Sequence, residues 1–120
     1  MTKTSNRKEF DLEKRTTFFA KNVIKLCKKL GRDPINDRLI GQLTRSSGSI
    51  GANYREANDA LGKKDFQHKV KIARKETKET IHWLEITEEA NKDFNDEVSI
   101  LFKEATELRN IFSAILNNCK

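Results

Sequence analysis

Proline and glycine are scarce in this chain of 120 residues, which contains one proline and five glycines. An all-β sandwich or barrel needs many tight turns, and these two residues supply many of them. So few turn-forming residues favour long helices instead. The length is typical of one domain, so we expect residues 1–120 to form a single domain.

Cysteine is also rare, and no long apolar run is present. Cys27 and Cys119 form no CxxC pair, and Cys27 falls among apolar positions, which predicts an ordinary buried thiol. No apolar run approaches the roughly 18 residues of a membrane span. The first ten residues lack the apolar core of a signal peptide. We therefore expect a cytoplasmic protein without a membrane partner.

Sequence motifs for catalysis or metal binding are missing as well. There is no HExxH zinc motif, no phosphate-binding P-loop and no paired Glu-x-x-His motifs of the di-iron type. His68 and His82 would lie about 21 Å apart along one helix, too far to share a metal. Acidic pairs such as Glu85 and Glu88 could share a helix face, but such pairs are common on solvated helices. We predict no enzymatic activity, no cofactor, no metal site and no small-molecule substrate.

Positive charge is concentrated in the first half of the chain. The net charge is +6, with 13 Lys and Arg against 7 Asp and Glu in residues 1–60, and 11 against 11 in residues 61–120. A basic surface attracts polyanions, although the same charge also serves solubility.

Hydrophobic periodicity predicts four helices, at about 11–30, 37–61, 65–90 and 96–117. Asp11 is the expected N-cap of the first helix, Asn36 or Asp37 of the second, and Asn95 or Asp96 of the fourth. The apolar positions recur at helical spacing along each segment: Leu12, Thr16, Phe19, Val23, Leu26 and Leu30; Leu39, Leu43, Ile50, Tyr54, Ala57 and Leu61; Phe66, Val70, Ala73, Thr77, Ile81 and Leu84; and Val98, Leu101, Phe102, Ala105, Leu108, Phe112 and Ile115. Because short turns make neighbouring helices antiparallel, the favoured fold is all-α, an up-down-up-down four-helix bundle. An elongated pair of helical hairpins is the alternative.

The second helix carries small residues on the side away from its apolar positions. These residues are Gly41, Gly48 and Ala52, with Gly51 and Thr44 to one side. Each glycine costs roughly 1 kcal/mol relative to alanine in a helix interior, which predicts close packing against another helix. That helix could belong to the same bundle or to a second subunit. A second apolar patch on the third helix, at Ile72, Trp83 and Ile86, also favours self-association.

Three segments resemble a known family: FDLEKRTTFFAKNVIKLCKKL, QLTRSSGSIGANYREA and KKDFQHKVKIARKETKETIHWLEI. They are similar to the bacterial four-helix-bundle proteins encoded in intervening sequences of 23S ribosomal RNA genes. A more distant resemblance is to the accessory protein of diversity-generating retroelements. The resemblance implies a four-helix bundle that assembles as a ring-like homopentamer, without enzymatic activity. The chain departs from the family at Lys75 and Glu76, where many members have a Gly-Ser pair.

The resemblance also singles out four polar residues. They are Arg45, Asn53, Glu56 and Glu79. Arg45 and Glu79 could pair between the second and third helices, because a guanidinium matches a carboxylate in bidentate geometry. Such a pair would fix the helix register or a subunit interface, or else bind a ligand.

Nucleic-acid binding is the favoured function. The candidate contacts form a basic face on the first helix: Lys14, Lys21, Lys25, Lys28 and Arg32. Lysines that contact phosphates would bind RNA or DNA without much sequence preference. The alternative is an oligomeric scaffold that recruits a protein partner, in which the positive charge serves solubility.

Overall fold

Four long helices make up nearly all of the chain in a computed structural model. The structure describes residues 3–119, and their side chains from residue 12 onward. The helices are α1 (Lys3–Lys29), α2 (Pro34–Asn58), α3 (Lys63–Ala90) and α4 (Asn95–Asn118), with a short 3-10 turn, Lys92–Phe94, before α4. No strand occurs within residues 3–119. The prediction of an all-α four-helix bundle is confirmed.

Each helix packs on its neighbour in sequence, and α4 closes the bundle against α1. The α2–α3 contact is the most extensive and the α1–α4 contact the least. Polar contacts show the antiparallel directions: α1 and α4 approach through Arg15 with Glu104 and, at the opposite end, through Lys29 with Glu97. The bundle measures 45 × 30 × 19 Å.

Most of the predicted apolar positions form one continuous core, and Leu39 is buried outside it. Fully buried side chains from all four helices meet in this core, among them Phe19, Leu43, Leu84 and Phe112. Leu61 is the exception, because α2 ends at Asn58 and the Leu61 side chain is fully exposed. Its prediction as a core position is therefore wrong: helical spacing was extended past the end of the helix.

The caps of the helices differ from the predicted ones. Asp33, not Asn36 or Asp37, caps α2: its Oδ1 accepts from the Asn36 backbone N–H at 2.7 Å, and Pro34 begins the helix. Proline suits the first helical position, since the backbone N–H it lacks has no partner there. The N-cap of α4 is Phe94, one residue before the expected range, and it provides no side-chain cap.

The first helix starts earlier than predicted. It begins at Lys3 and runs through Asp11, so Asp11 is not its N-cap, and the side chain of Asp11 lies outside those described. Residues 3–10 contain neither proline nor glycine, so nothing in that segment stops a helix.

Close packing of α1 on α2 depends on Gly51. A Cβ atom on Gly51 would lie 2.8 Å from Thr16 Oγ1 and 3.3 Å from Thr16 Cβ. Thr16 is fully buried, and its Oγ1 donates to the Glu13 carbonyl at 2.9 Å, so its rotamer is held. Gly51 thus lets the two helices approach closely within the chain, as the sequence predicts for one of its small residues.

Candidate nucleic-acid interface

The outward side of α1 is strongly basic. From Lys14 to Arg32 the sequence has seven Lys and Arg and no Asp or Glu. Lys14, Lys21, Lys25 and Lys28 are all exposed on the side opposite the buried Phe19 and Val23. These four lysines are called the outer lysine face below. The predicted amphipathic pattern of α1 therefore places the four lysines together on the surface.

Ion pairs flank this face toward α4. The Arg15 guanidinium donates to Glu104 through Nε at 2.7 Å and through Nη2 at 2.9 Å, and Nη2 also reaches Glu107 at 2.7 Å. The hydrogen bonds to Glu104, and secondly to Glu107, raise the pKa of Arg15. Lys29 Nζ lies 2.6 Å from Glu97. The basic groups on this border are therefore neutralised by carboxylates of α4.

The middle of the outer lysine face differs from its borders. Among the side chains that the structure describes, Lys21, Lys25 and Lys28 form no ion pair. Arg32 does not share this property. It lies in the turn after α1, and its Nε is 2.6 Å from Asp37 Oδ1. This part of the face therefore presents three lysines without ion pairs among the described side chains, at consecutive turns of α1.

An exposed aromatic residue lies within the outer lysine face. Phe18 follows Lys14 by four residues and precedes Lys21 by three, and it is 61% exposed. It helps to line an open depression of about 520 Å³, together with Lys14, Arg15, Thr17, Lys21 and Arg55. Sequence analysis overlooked Phe18, although its spacing from the two lysines is the signal that reveals it.

Arg45 forms the predicted link between α2 and α3. It pairs with Glu79 and, at 3.3 Å, with Glu76. The Trp83 indole Nε1–H donates to Glu79 Oε2 at 3.3 Å. Arg45 is about half-exposed, whereas only 14% of the Glu76 side chain is exposed. Glu76 and Glu79 therefore hold Arg45 alongside α3.

The other two polar residues singled out by sequence make separate contacts. Asn53 Nδ2 donates to the Ser49 carbonyl within α2 at 2.8 Å. Glu56 accepts from Lys69 Nζ at 2.8 Å, and this hydrogen bond raises the pKa of Lys69. Neither contact involves Arg45 or Glu79. The four residues therefore form helix-to-helix and local contacts instead of one converging site.

The small residues of α2 divide between two surroundings. Gly51 meets α1, but Gly41, Gly48 and Ala52 are exposed. A Cβ atom at Gly41 or Gly48 would have no atom of the described residues within 4 Å. Among the described residues, nothing packs over Gly41 or Gly48, so this face of α2 is smooth there.

The carboxylates and histidines do not gather into a metal-binding cluster. Within the described residues, no group of three or more His, Cys, Asp or Glu side chains is placed to hold an ion. Both histidines are exposed on α3, and Glu85 and Glu88 line a depression of about 230 Å³. Across the same residues, no helix combines the length and apolar character needed to cross a bilayer.

Comparison with known proteins finds a similar solved structure and a matching family model. A solved structure from Bacteroides thetaiotaomicron, described as a protein of unknown function from the S23 ribosomal protein family, is 30% identical with a TM-score of 0.77. The alignment covers 88% of this chain and 97% of that one. No curated protein matches the sequence. The family model for the 23S rRNA-intervening sequence protein matches residues 8–114. The chain therefore belongs to the 23S rRNA-intervening sequence protein family.

Proposed function

We propose that this chain is a non-enzymatic, cytoplasmic homo-oligomer that binds nucleic acid through the outer lysine face. The observation that carries the proposal is the exposure of Lys21, Lys25 and Lys28 without carboxylate partners among the described side chains. The ion-paired basic groups at its borders leave this face as the most strongly positive part of α1.

The spacing of these lysines suits a phosphate backbone. Lys21 and Lys28 are separated by about 10 Å along the helix axis. Each phosphate that a lysine neutralises releases a counterion, so binding weakens as salt rises. With three or four contacts per subunit, affinity for a single strand should fall roughly 20- to 50-fold between 50 and 200 mM salt for each engaged subunit.

Self-association would multiply these contacts. The smooth face of α2, at Gly41, Gly48 and Ala52, is exposed, and none of the described residues packs over its two glycines. Small side chains let a second backbone approach closely. We propose that this face packs between subunits, and the family resemblance suggests a ring of five. A ring would repeat the outer lysine face around its circumference and so raise avidity.

A second exposed lysine triplet, on α3, offers a matched control for the triplet on α1. Lys71, Lys75 and Lys78 on α3 are also exposed and have the same sequence spacing as Lys21, Lys25 and Lys28. From Lys14 onward α1 carries no carboxylate, whereas α3 carries carboxylates among these lysines and beyond them, such as Glu76 and Glu85. Replacing either triplet by glutamate changes the net charge equally.

Fluorescence anisotropy with labelled single-stranded RNA, duplex and structured RNA tests the proposal. The variant with Lys21→Glu, Lys25→Glu and Lys28→Glu should lose binding, while the α3 triplet variant should keep most of it. Equal loss in both variants would refute the location on α1. If the unmodified protein binds none of the three probes at low salt, the function is wrong and the scaffold alternative takes its place.

A further inference from the structure

The exposed ring of Phe18 indicates a more specific ligand than a phosphate backbone alone. We propose that Phe18 is a stacking platform for an unpaired base of single-stranded nucleic acid, with its flanking phosphates held by Lys14 and Lys21. The inference rests on the proposed nucleic-acid binding and deepens it, because a duplex keeps its bases stacked inside.

Position in the helix brings the ring and the charges together. Lys14 and Lys21 lie about one turn from Phe18 on either side, and about 10 Å from each other along the axis. Phe18 is thus bracketed by ammonium groups on one exposed face. Sequence-tolerant binding of single strands combines such a cationic surface with aromatic rings on which bases stack.

Fixed arginines border the ring on both sides. Arg55 of α2 is held by Glu13 Oε1 at 3.0 Å and by Thr17 Oγ1 at 3.2 Å. Arg15 is held by the carboxylates of Glu104 and Glu107. Both arginines line the same depression as Phe18, whose volume is about 520 Å³. The ring therefore stands in a shallow site bordered by two arginines whose charges are already paired with carboxylates.

The chemistry of the site favours a base over an apolar protein segment. Phe18 is the one large apolar residue among the six that line the depression, and four of the others are Lys or Arg. An apolar segment would desolvate the charged groups around the ring, including the arginine–carboxylate pairs, without offering them any polar contact, which is costly. A nucleotide instead supplies a π-face for the ring and negative oxygens for the lysines.

An abasic oligonucleotide separates stacking from charge. It has the same phosphates as an ordinary single strand of equal length but no bases. The unmodified protein should bind the ordinary strand about 5- to 150-fold more tightly than the abasic one, the range expected for one base stack. In Phe18→Ala this preference should disappear, and affinity for the abasic strand should be unchanged.

Two further variants control for apolar area and folding. Phe18→Leu keeps an apolar side chain but removes the ring, so it should also lose the preference. Ile100→Ala removes a similarly exposed apolar residue from α4 and should retain it. Circular dichroism should show the same helix content for all variants, because both sites are exposed.

The outcomes distinguish the inference from the proposed function. Equal binding of the ordinary and abasic strands by the unmodified protein would overturn the stacking site and leave charge-based binding intact. Binding of neither strand would overturn both. If Phe18→Ala lowers the mass measured by light scattering, Phe18 belongs to a subunit contact and the stacking site is refuted.

Discussion

Gly51→Ala should reveal how tightly α1 is packed against α2. The new Cβ atom would lie 2.8 Å from Thr16 Oγ1, closer than van der Waals contact allows, so one helix or the threonine must shift. Overpacking of this kind costs about 1–3 kcal/mol. Alanine also gains about 1 kcal/mol over glycine in a helix interior. The free energy of unfolding should therefore be unchanged or fall by up to about 2 kcal/mol.

A double-mutant cycle with Thr16→Ala isolates the steric part of this change. Removing Oγ1 relieves the 2.8 Å contact, while the gain in helix propensity at position 51 stays the same. The 3.3 Å approach to Thr16 Cβ remains in this background, so Gly51→Ala should destabilise the Thr16→Ala protein less than the original protein, or stabilise it. The coupling between the two sites should be about 1–3 kcal/mol in favour of the double variant.

Urea unfolding monitored by circular dichroism measures all four proteins of the cycle. The midpoints give the free energies of unfolding, provided that the slopes agree. If Gly51→Ala stabilises the original and the Thr16→Ala backgrounds equally, the close approach of α1 and α2 at this position is refuted.

Two further predictions concern Arg45 and the cysteines. Arg45→Ala removes both ion pairs to α3 and should lower the free energy of unfolding by about 1 kcal/mol, with a smaller effect at high salt; unchanged melting temperature and unchanged oligomeric mass would contradict a structural role. Burial raises the pKa of the Cys27 thiol from 9.0 to about 11, so its thiolate is about 100-fold scarcer than that of an ordinary cysteine near pH 8. Mass spectrometry after alkylation should therefore find Cys119, which is only half-buried, modified first, and Cys27 modified only on unfolding; equal labelling of both in the folded protein would show that Cys27 is accessible.

The core was predictable from sequence because periodicity reports burial directly. Phe19, Val70 and Leu108 each belong to the helically spaced apolar set of their own helix, and all three are buried. Helix ends depend on weaker local signals. Asp33 and Asn36 are both good capping residues, and Pro34, which suits the first helical position, is the local signal that favours Asp33.

Interactions between distant residues were predictable only in part. Arg45 with Glu79 came from a family pattern, and the structure contains that contact. The Gly51 contact with Thr16 depends on the distance between two helix axes, which no spacing within one helix reveals. Phe18 lies outside the buried spacing of α1, which contains Phe19, so the hydrophobic pattern alone does not mark it.

Light scattering with and without a single-stranded RNA at low salt tests the proposed function most directly. An oligomeric nucleic-acid-binding protein should have a mass that is a multiple of the 13.9 kDa chain, fivefold for a ring of five. Added RNA should increase that mass, and the increase should disappear when Lys21, Lys25 and Lys28 are replaced by glutamate. A mass of 13.9 kDa that RNA does not change would contradict both the assembly and the binding.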